Sequence, residues 1–292
     1  MLKTFILSTC QQLNILFDMI KPLLIALSLL MLIPNFINKD INEKLPYNQL
    51  EKYDPSLSYI NSIDKLEKYI DNNAAAKNIA PGSPEYIVEV EQAIAERFYH
   101  GFSHFTLKEN WIAAIGEKIF GKGLASKVSP GEIMEHGNAA CSQQSMVMME
   151  ILKRKKISYR KVGFPHHYAM EAMAGGRWYY FDANMEPNIS INERLEESWK
   201  CCNDNLKKYY DPKRFGNASY QFGNNEAATF GAINETPAKN AKIFQAITGY
   251  ASKLLWCVPL LLLLYRRRSV LPKFKAPVIR LYSAKPQPLF SA

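Results

Sequence analysis

The chain has 292 residues, 48% hydrophobic and 22% charged, which excludes a disordered polymer, and its five cysteines do not make a disulfide framework. Its formal charge of +9 sits in the tails: residues 1–37 carry Lys3 and Lys21 against Asp18, and residues 266–292 carry only basic charges. The remainder holds 27 basic and 26 acidic residues, so the balance points away from nucleic acid and toward membrane orientation with anionic lipid.

Residues 1–20 have a mixed apolar pattern and read as a cytoplasmic N-terminal segment. Pro22 to Pro34 is an uncharged apolar run. With Lys21 snorkelling, residues 21–37 reach about 17 residues, the lower limit for a transmembrane helix. A weak charged leader and the lack of a small-x-small site after the run argue against a cleaved signal peptide. Residues 38–84 read as a polar stalk and a first helix, with Ile60 to Asn72 apolar at helical spacing. Residues 85–200 read as the main domain. Pro84-Glu85 opens a helix through about His100, with Ile87, Val90, Ala93, Ile94 and Phe98 as its buried stripe. Leu107 to Phe120 reads as another helix, and Gly121 to Gly137 as a loop.

Cys141 follows the small, turn-prone run Gly137-Asn138-Ala139-Ala140 and opens a helix carrying Val147 and Ile151. A cysteine in a first turn faces unpaired N–H groups and the positive end of the helix dipole, and both favour a thiolate. The period then changes. Ile157 to Val162, His167 to Met173 and Trp178 to Phe181 are short β-branched and aromatic runs separated by Gly163-Phe164-Pro165 and Ala174-Gly175-Gly176. They read as three strands, the last two forming a hairpin. Glu193 to Tyr210 looks helical with a thin apolar face. Residues 201–242, rich in Asn, Gly, Tyr and Phe toward their end, read either as a flap over the site or as a disordered tether. Leu254 to Tyr265 contains five consecutive leucines and is short by itself. Extended back, residues 243–265 form a second expected span that takes in Lys253. Arg266-Arg267-Arg268 and the basic tail 266–292 anchor it on the cytoplasmic side, so both termini are expected there and the middle outside.

Cys141, His167 and Asp182 together supply what covalent acyl transfer needs: a nucleophile, a proton carrier and a carboxylate that orients the imidazole. Taken singly, each has an ordinary explanation, a packed thiol, a surface imidazole and a turn-starting carboxylate. His100 and His104 stand four apart, but Gly101 interrupts the helix that would align them. The sequence shows no zinc spacing, Walker loop or dinucleotide fingerprint, and the chemistry requires no cofactor.

The stretch from about Gly137 to Asp182 resembles the core of the transglutaminase-like superfamily, the papain-related cysteine enzymes. In that family the nucleophile opens a helix, the histidine begins a strand with an acidic residue four positions on, and the aspartate ends the next strand after a tryptophan. Cys141, His167 with Glu171, and Trp178 with Asp182 match in order. The resemblance implies an α+β fold with the nucleophile helix packed on an antiparallel sheet. The family's tryptophan after the histidine is replaced by Tyr168, directly after His167; a one-residue slip would make His166 the catalytic imidazole instead. Neighbouring strand residues point to opposite faces, so only one can reach Cys141. The Cys141 N–H is the expected first oxyanion donor, with His136, Asn138 and Trp111 as candidates for the second.

The expected protein is a membrane-anchored, extracytoplasmic cysteine enzyme of a bacterial envelope acting at amide or peptide bonds through a thioester. Its expected partners are a peptide or protein substrate, membrane lipid and other envelope proteins. Hydrolysis and transamidation share the triad and stay open. The alternative from another class is a catalytically silent peptide-binding or scaffold module of a membrane assembly.

Overall fold

The structure is a computed structural model that describes residues 19–42, 45–200, 202–224 and 226–269. The expected N-terminal segment 1–20 and basic tail 266–292 lie largely outside the described residues. The chain divides into two units, one of Leu32–Leu254 and one to which the described residues 19–31 and 255–269 belong.

The larger unit is α+β. Its four-stranded antiparallel sheet has the order β3-β2-β1-β4, with β1 Tyr159–Phe164, β2 His167–Ala174, β3 Arg177–Phe181 and β4 Thr229–Phe230. Gly175 and Gly176, at φ 55° and 79°, make the β2–β3 turn, a conformation that only glycine enters without strain. Strand alternation divides the sheet into two buried faces. Tyr159, Met170, Ala172, Tyr179 and Phe181 join the core made with helices α2 (Ile63–Ala76), α3 (Pro84–Arg97) and α6 (Cys141–Arg154). Val162, Phe164, Ala169 and Tyr180 face the other way, into a second core with Trp199, Leu206, Tyr210 and Phe222.

The helices start where the sequence supplies caps. Ser62 and Ser83 accept from Lys65 N and Tyr86 N at the starts of α2 and α3, and Pro84 takes the first position of α3. α4 (Leu107–Phe120) opens on a capping box, Thr106 with Glu109. Asn110, inside α4, has φ −155° and ψ 81°, and its Oδ1 accepts from Ala113 N. The side chain thus recaps the rest of the helix after the interruption.

Three expectations are corrected. The expected stalk, Asn38 to Ser58, is packed on the domain where it is described: Leu107 N donates to Lys39 O, Asp54 N to Glu96 O, and Tyr53 sits edge-on to Tyr99, 5.2 Å between ring centroids. The loop 121–137 contains a short helix, α5 (Pro130–Ile133). Glu193 to Tyr210 is not one helix but a 3-10 turn, Asn192–Arg194, followed by α7 (Glu196–Trp199) and α8 (Asp204–Lys207). The segment 202–222 packs on the sheet through α8, α9 (Pro212–Phe215) and α10 (Ser219–Phe222), and β4 beyond it pairs with β1. Its apolar residues are spaced irregularly because short turns present them, so no helical or strand period shows.

One helix among the described residues is long and apolar enough to cross a membrane: α1, Met19–Phe36, with mean hydropathy 1.8, a composition that an anchor and a signal sequence share. The expected span 243–265 is not one continuous helix. It divides into α11 (Lys239–Leu254) and α12 (Cys257–Ser269), which meet the length and hydropathy requirement only as a pair. Pro259, with no N–H and a ring that clashes with the carbonyl four residues back, is tolerated only in a first turn, so a new helix starts at Cys257.

Candidate active site

Cys141 is the first residue of α6. Ala140 at the N-cap has no side-chain acceptor, so no side chain caps the first-turn N–H groups. The helix start is instead held by Gln143, fully buried, whose Oε1 accepts from Ala140 N and Ser103 N and whose Nε2 donates to Ser103 O and Lys127 O. Those four bonds fix where the thiol stands.

His167 opens β2 and Asp182 follows β3, and the antiparallel pairing of these strands brings them together. His167 Nε2 lies 2.7 Å from Asp182 Oδ2, both side chains buried. Cys141 and His167 line the same cleft. Burial opposes the imidazolium, but the Asp182 charge and hydrogen bond, followed by Cys141, outweigh it and push His167 up to about 10. Asp182 is drawn below the ordinary carboxylate value: burial opposes this, and His167, the Met185 N–H and the Tyr210 hydroxyl prevail.

The carboxylate is fully engaged. Oδ1 accepts from Met185 N at 3.1 Å, and Oδ2 accepts from Tyr210 OH at 2.9 Å and Tyr180 OH at 3.3 Å in addition to His167. Burial and the adjacent Asp182 charge hold both phenols protonated, so they remain donors. Behind the strand, Glu91 Oε1 accepts from Asp182 N at 2.6 Å, and Arg194 meets Glu91 with two bonds, of 2.7 and 3.0 Å.

A cleft of 290 Å³ opens on the thiol, lined among others by Glu51, His100, His166, His167, Arg214 and Gln221. Tyr99 pairs with Asn138 in a parallel bridge, which runs His100 alongside the lead-in to Cys141. His100 N donates to Glu51 Oε2 at 2.6 Å. Burial lowers the His100 imidazole from its usual value; Glu51 and Asn184 oppose this, while His167 and Arg214 reinforce it, so the ring stays neutral. The walls come from six separate stretches of chain, of which the last, Arg214 to Gln221, belongs to α9 and α10.

The two histidines of the alternative registers are separated by the start of the strand: His166 lies in the turn between β1 and β2, and His167 opens β2. His167 points to Asp182, whereas His166 is exposed and stacks on Tyr220, 4.4 Å between centroids at 4°. Glu171 shares the His167 face but pairs with Arg160 at 2.7 Å and lies outside the cleft. Burial pushes Glu171 up to about 7 against the pull of Arg160, and Arg160 also stacks on Trp178 at 4.5 Å. The expected second oxyanion donors are used elsewhere or lie outside the cleft. Asn138 Nδ2 donates to Gly101 O and Phe102 O, Trp111 Nε1 donates to Ser252 O, and His136 does not line the cleft. Sequence reading missed His100, Tyr180, Tyr210, Glu91 and Arg194. Only Tyr180, two residues from Asp182, left a signal: strand alternation puts 180 and 182 on one face.

No protein-family model, no curated protein and no solved structure matches this chain.

The imidazolium sets a pH dependence of stability. His167 is raised from 6.5 to about 10, so its contribution is complete below pH 6.5 and is lost as pH rises through about 10. Asp182 is lowered from 3.8, so its contribution is present above that value and is lost as pH falls through its depressed value. The melting temperature of the full chain is expected to be highest between those limits and to decline from pH 6.5 toward 10. A His167→Ala variant, melted over the same series, is expected to lose the alkaline decline that belongs to the pair. An unchanged decline would remove His167 as its cause.

Proposed function

We propose that this chain is a membrane-anchored cysteine enzyme with a transglutaminase-like core, which transfers or hydrolyses acyl groups at amide bonds on the outer side of the membrane. The observation that carries the reading is the buried His167–Asp182 pair standing beside a thiol at an uncapped helix start. Thiol, imidazole and carboxylate in that order are what acyl transfer needs.

In this reading Cys141 and His167 act as a thiolate–imidazolium pair. The Cys141 sulfur attacks the amide carbonyl, and the oxyanion that forms is met by the Cys141 N–H and by the neutral ring of His100, the group we assign as second donor. His167 gives its proton to the leaving amine as the C–N bond breaks, which leaves a thioester. It then takes a proton from water or from an amine as that acceptor attacks, and the thiolate departs. Asp182, held by Tyr180 and Tyr210, keeps the imidazole in place throughout. The apolar helix α1 supports the anchored topology. The basic residues after α12 are the reason for assigning the termini to the cytoplasm.

Alkylation tests the reading. Iodoacetamide is expected to modify Cys141 of the full chain at pH 6 well before Cys202, a thiol outside the site. His167→Ala is expected to slow this and His166→Ala to leave it unchanged, both followed by peptide mass spectrometry. Equal labelling of Cys141 and Cys202, rising only near pH 8.5 as for an ordinary thiol and indifferent to His167, would sink the proposal.

A further inference from the structure

Helix α11 is amphipathic in the wrong sense for a helix in water. Ile243, Ile247, Tyr250 and Leu254 are 59%, 64%, 75% and 62% exposed. Gln245, Thr248 and Ser252 are its buried residues. At about 100° per residue, the four apolar residues share one stripe, and the three polar residues lie on the opposite side. A surface helix of a water-bathed domain turns its apolar stripe inward. Here the inward face is polar and the outward face apolar.

The inward face is fully used. Asn110 of α4 donates to Thr248 Oγ1 at 2.9 Å and to Gln245 O at 3.3 Å. Gln245 Nε2 donates to Ser126 O at 2.7 Å, and Trp111 Nε1 to Ser252 O at 3.0 Å. The α4 residues buried here are Asn110, Ala113 and Ala114, with Gly249 opposite Asn110. Small residues and interhelical hydrogen bonds in the seam, with large apolar residues outside, are how helices pack in lipid. Ile119 and Phe120, at the end of α4, are also exposed.

Connectivity names the occupant. The larger unit is left at two points, and both are on this side of it. Ile33–Phe36, the end of the apolar α1, packs on α4, and α11 runs on after Leu254 toward the five-leucine α12. The two exits are tied together: Asn35 Nδ2 donates to Ser252 O at 3.1 Å, and Lys253 Nζ to Asn35 Oδ1 at 3.2 Å. Chain that enters a bilayer from both exits brings this face against it. Lys239, Lys242 and Lys253 along α11 suit an anionic headgroup layer.

We propose that the outward stripe of α11 is buried in the lipid interface, so that the domain lies on the bilayer rather than standing off it on a stalk. This rests on the membrane anchoring proposed above. It ties the lipid face to the nucleophile helix through adjacent carbonyls, since Ser126 O accepts from Gln245 of α11 and Lys127 O from Gln143 of α6.

The test uses the full chain, with its five cysteines replaced by alanine, in nanodiscs of phosphatidylcholine and phosphatidylglycerol. Single nitroxide labels are placed at Leu29→Cys, Lys68→Cys, Ile247→Cys and Tyr250→Cys, all exposed positions in the protein. Collision rates with oxygen, which concentrates in lipid, and with a nickel chelate, which stays in water, are compared. The oxygen-to-nickel ratio at 247 and 250 is expected to match Leu29 and to exceed that at Lys68 several-fold. A water-like ratio at 247 and 250 with a lipid-like one at 29 overturns the face and leaves the anchor standing. Water-like ratios at all four overturn both. Shielding of 247 and 250 from both reagents means that protein covers the stripe, a second copy included, and also overturns it.

Discussion

On the proposed mechanism, Asp182→Asn is expected to lower acyl transfer by about four orders of magnitude, the size of effect that follows loss of a triad carboxylate through the wrong imidazole tautomer. The hydrogen bonds leave the amide no good orientation. Oδ1 accepts from Met185 N, and Oδ2 accepts from Tyr210, Tyr180 and His167. An asparagine that points its NH2 toward Oδ2's partners sets a donor against two phenols and the imidazole N–H. The reverse orientation sets a donor against the Met185 N–H. In the first case Nε2 must accept, its proton moves to Nδ1, and the ring facing Cys141 is neutral. Alkylation of Cys141 at pH 7 is therefore expected to slow along with turnover. His100→Ala separates the two measurements. It should cost about a hundredfold to a thousandfold in kcat, as loss of an oxyanion donor does. It should leave alkylation unchanged, because iodoacetamide is displaced at a saturated carbon and forms no oxyanion. Asp182→Asn alkylating at the wild-type rate would mean that the carboxylate does not set the imidazole. His100→Ala with undiminished kcat would mean that the second donor lies elsewhere.

Arg194→Met is expected to be the most destabilising single substitution among those considered. Arg194 and Glu91 are only 4% and 6% exposed and meet through two hydrogen bonds, with Arg194 Nη1 also donating to Tyr180 O at 2.9 Å. Removing the cation leaves Glu91 buried and uncompensated, at a cost of about 3–5 kcal/mol. For a unit of this size that lowers the melting temperature by roughly 6–20 °C. The damage is expected to reach the site, because Glu91 also holds the Asp182 backbone N–H. The double variant Glu91→Gln, Arg194→Met should recover much of the loss, since the unpaired charge rather than the missing pair is costly. Thermal melts of the two variants decide this. A double variant no more stable than Arg194→Met would show that shape, not charge, sets the cost.

The geometry of the candidate site was legible wherever it depends on local sequence. A cysteine after a small-residue run, a strand opening on His167 and a hairpin returning to Asp182 are short-range facts, and antiparallel pairing of adjacent strands leaves little freedom about where their ends meet. The helices from Pro84 and Leu107 were legible for the same reason, and the structure caps them with Ser83 and Thr106. What the sequence could not supply is partnership across distance. Tyr210 reaches Asp182 over 28 residues, Glu91 over 91 and Arg194 reaches Glu91 over 103, and nothing local marks any of them. The choice between His166 and His167 is of this kind, because two adjacent histidines look alike until strand pairing sets where β2 begins and which of them meets Asp182. So is α11: its apolar stripe is plain in the sequence, but only the polar seam with α4 reveals that the stripe faces outward. Local sequence determined most of the elements and the candidate groups of the proposed site, since capping, turn chemistry and side-chain period act over a few residues. The tertiary structure decided which groups are buried, charged and paired, since desolvation and hydrogen bonding depend on everything packed around them.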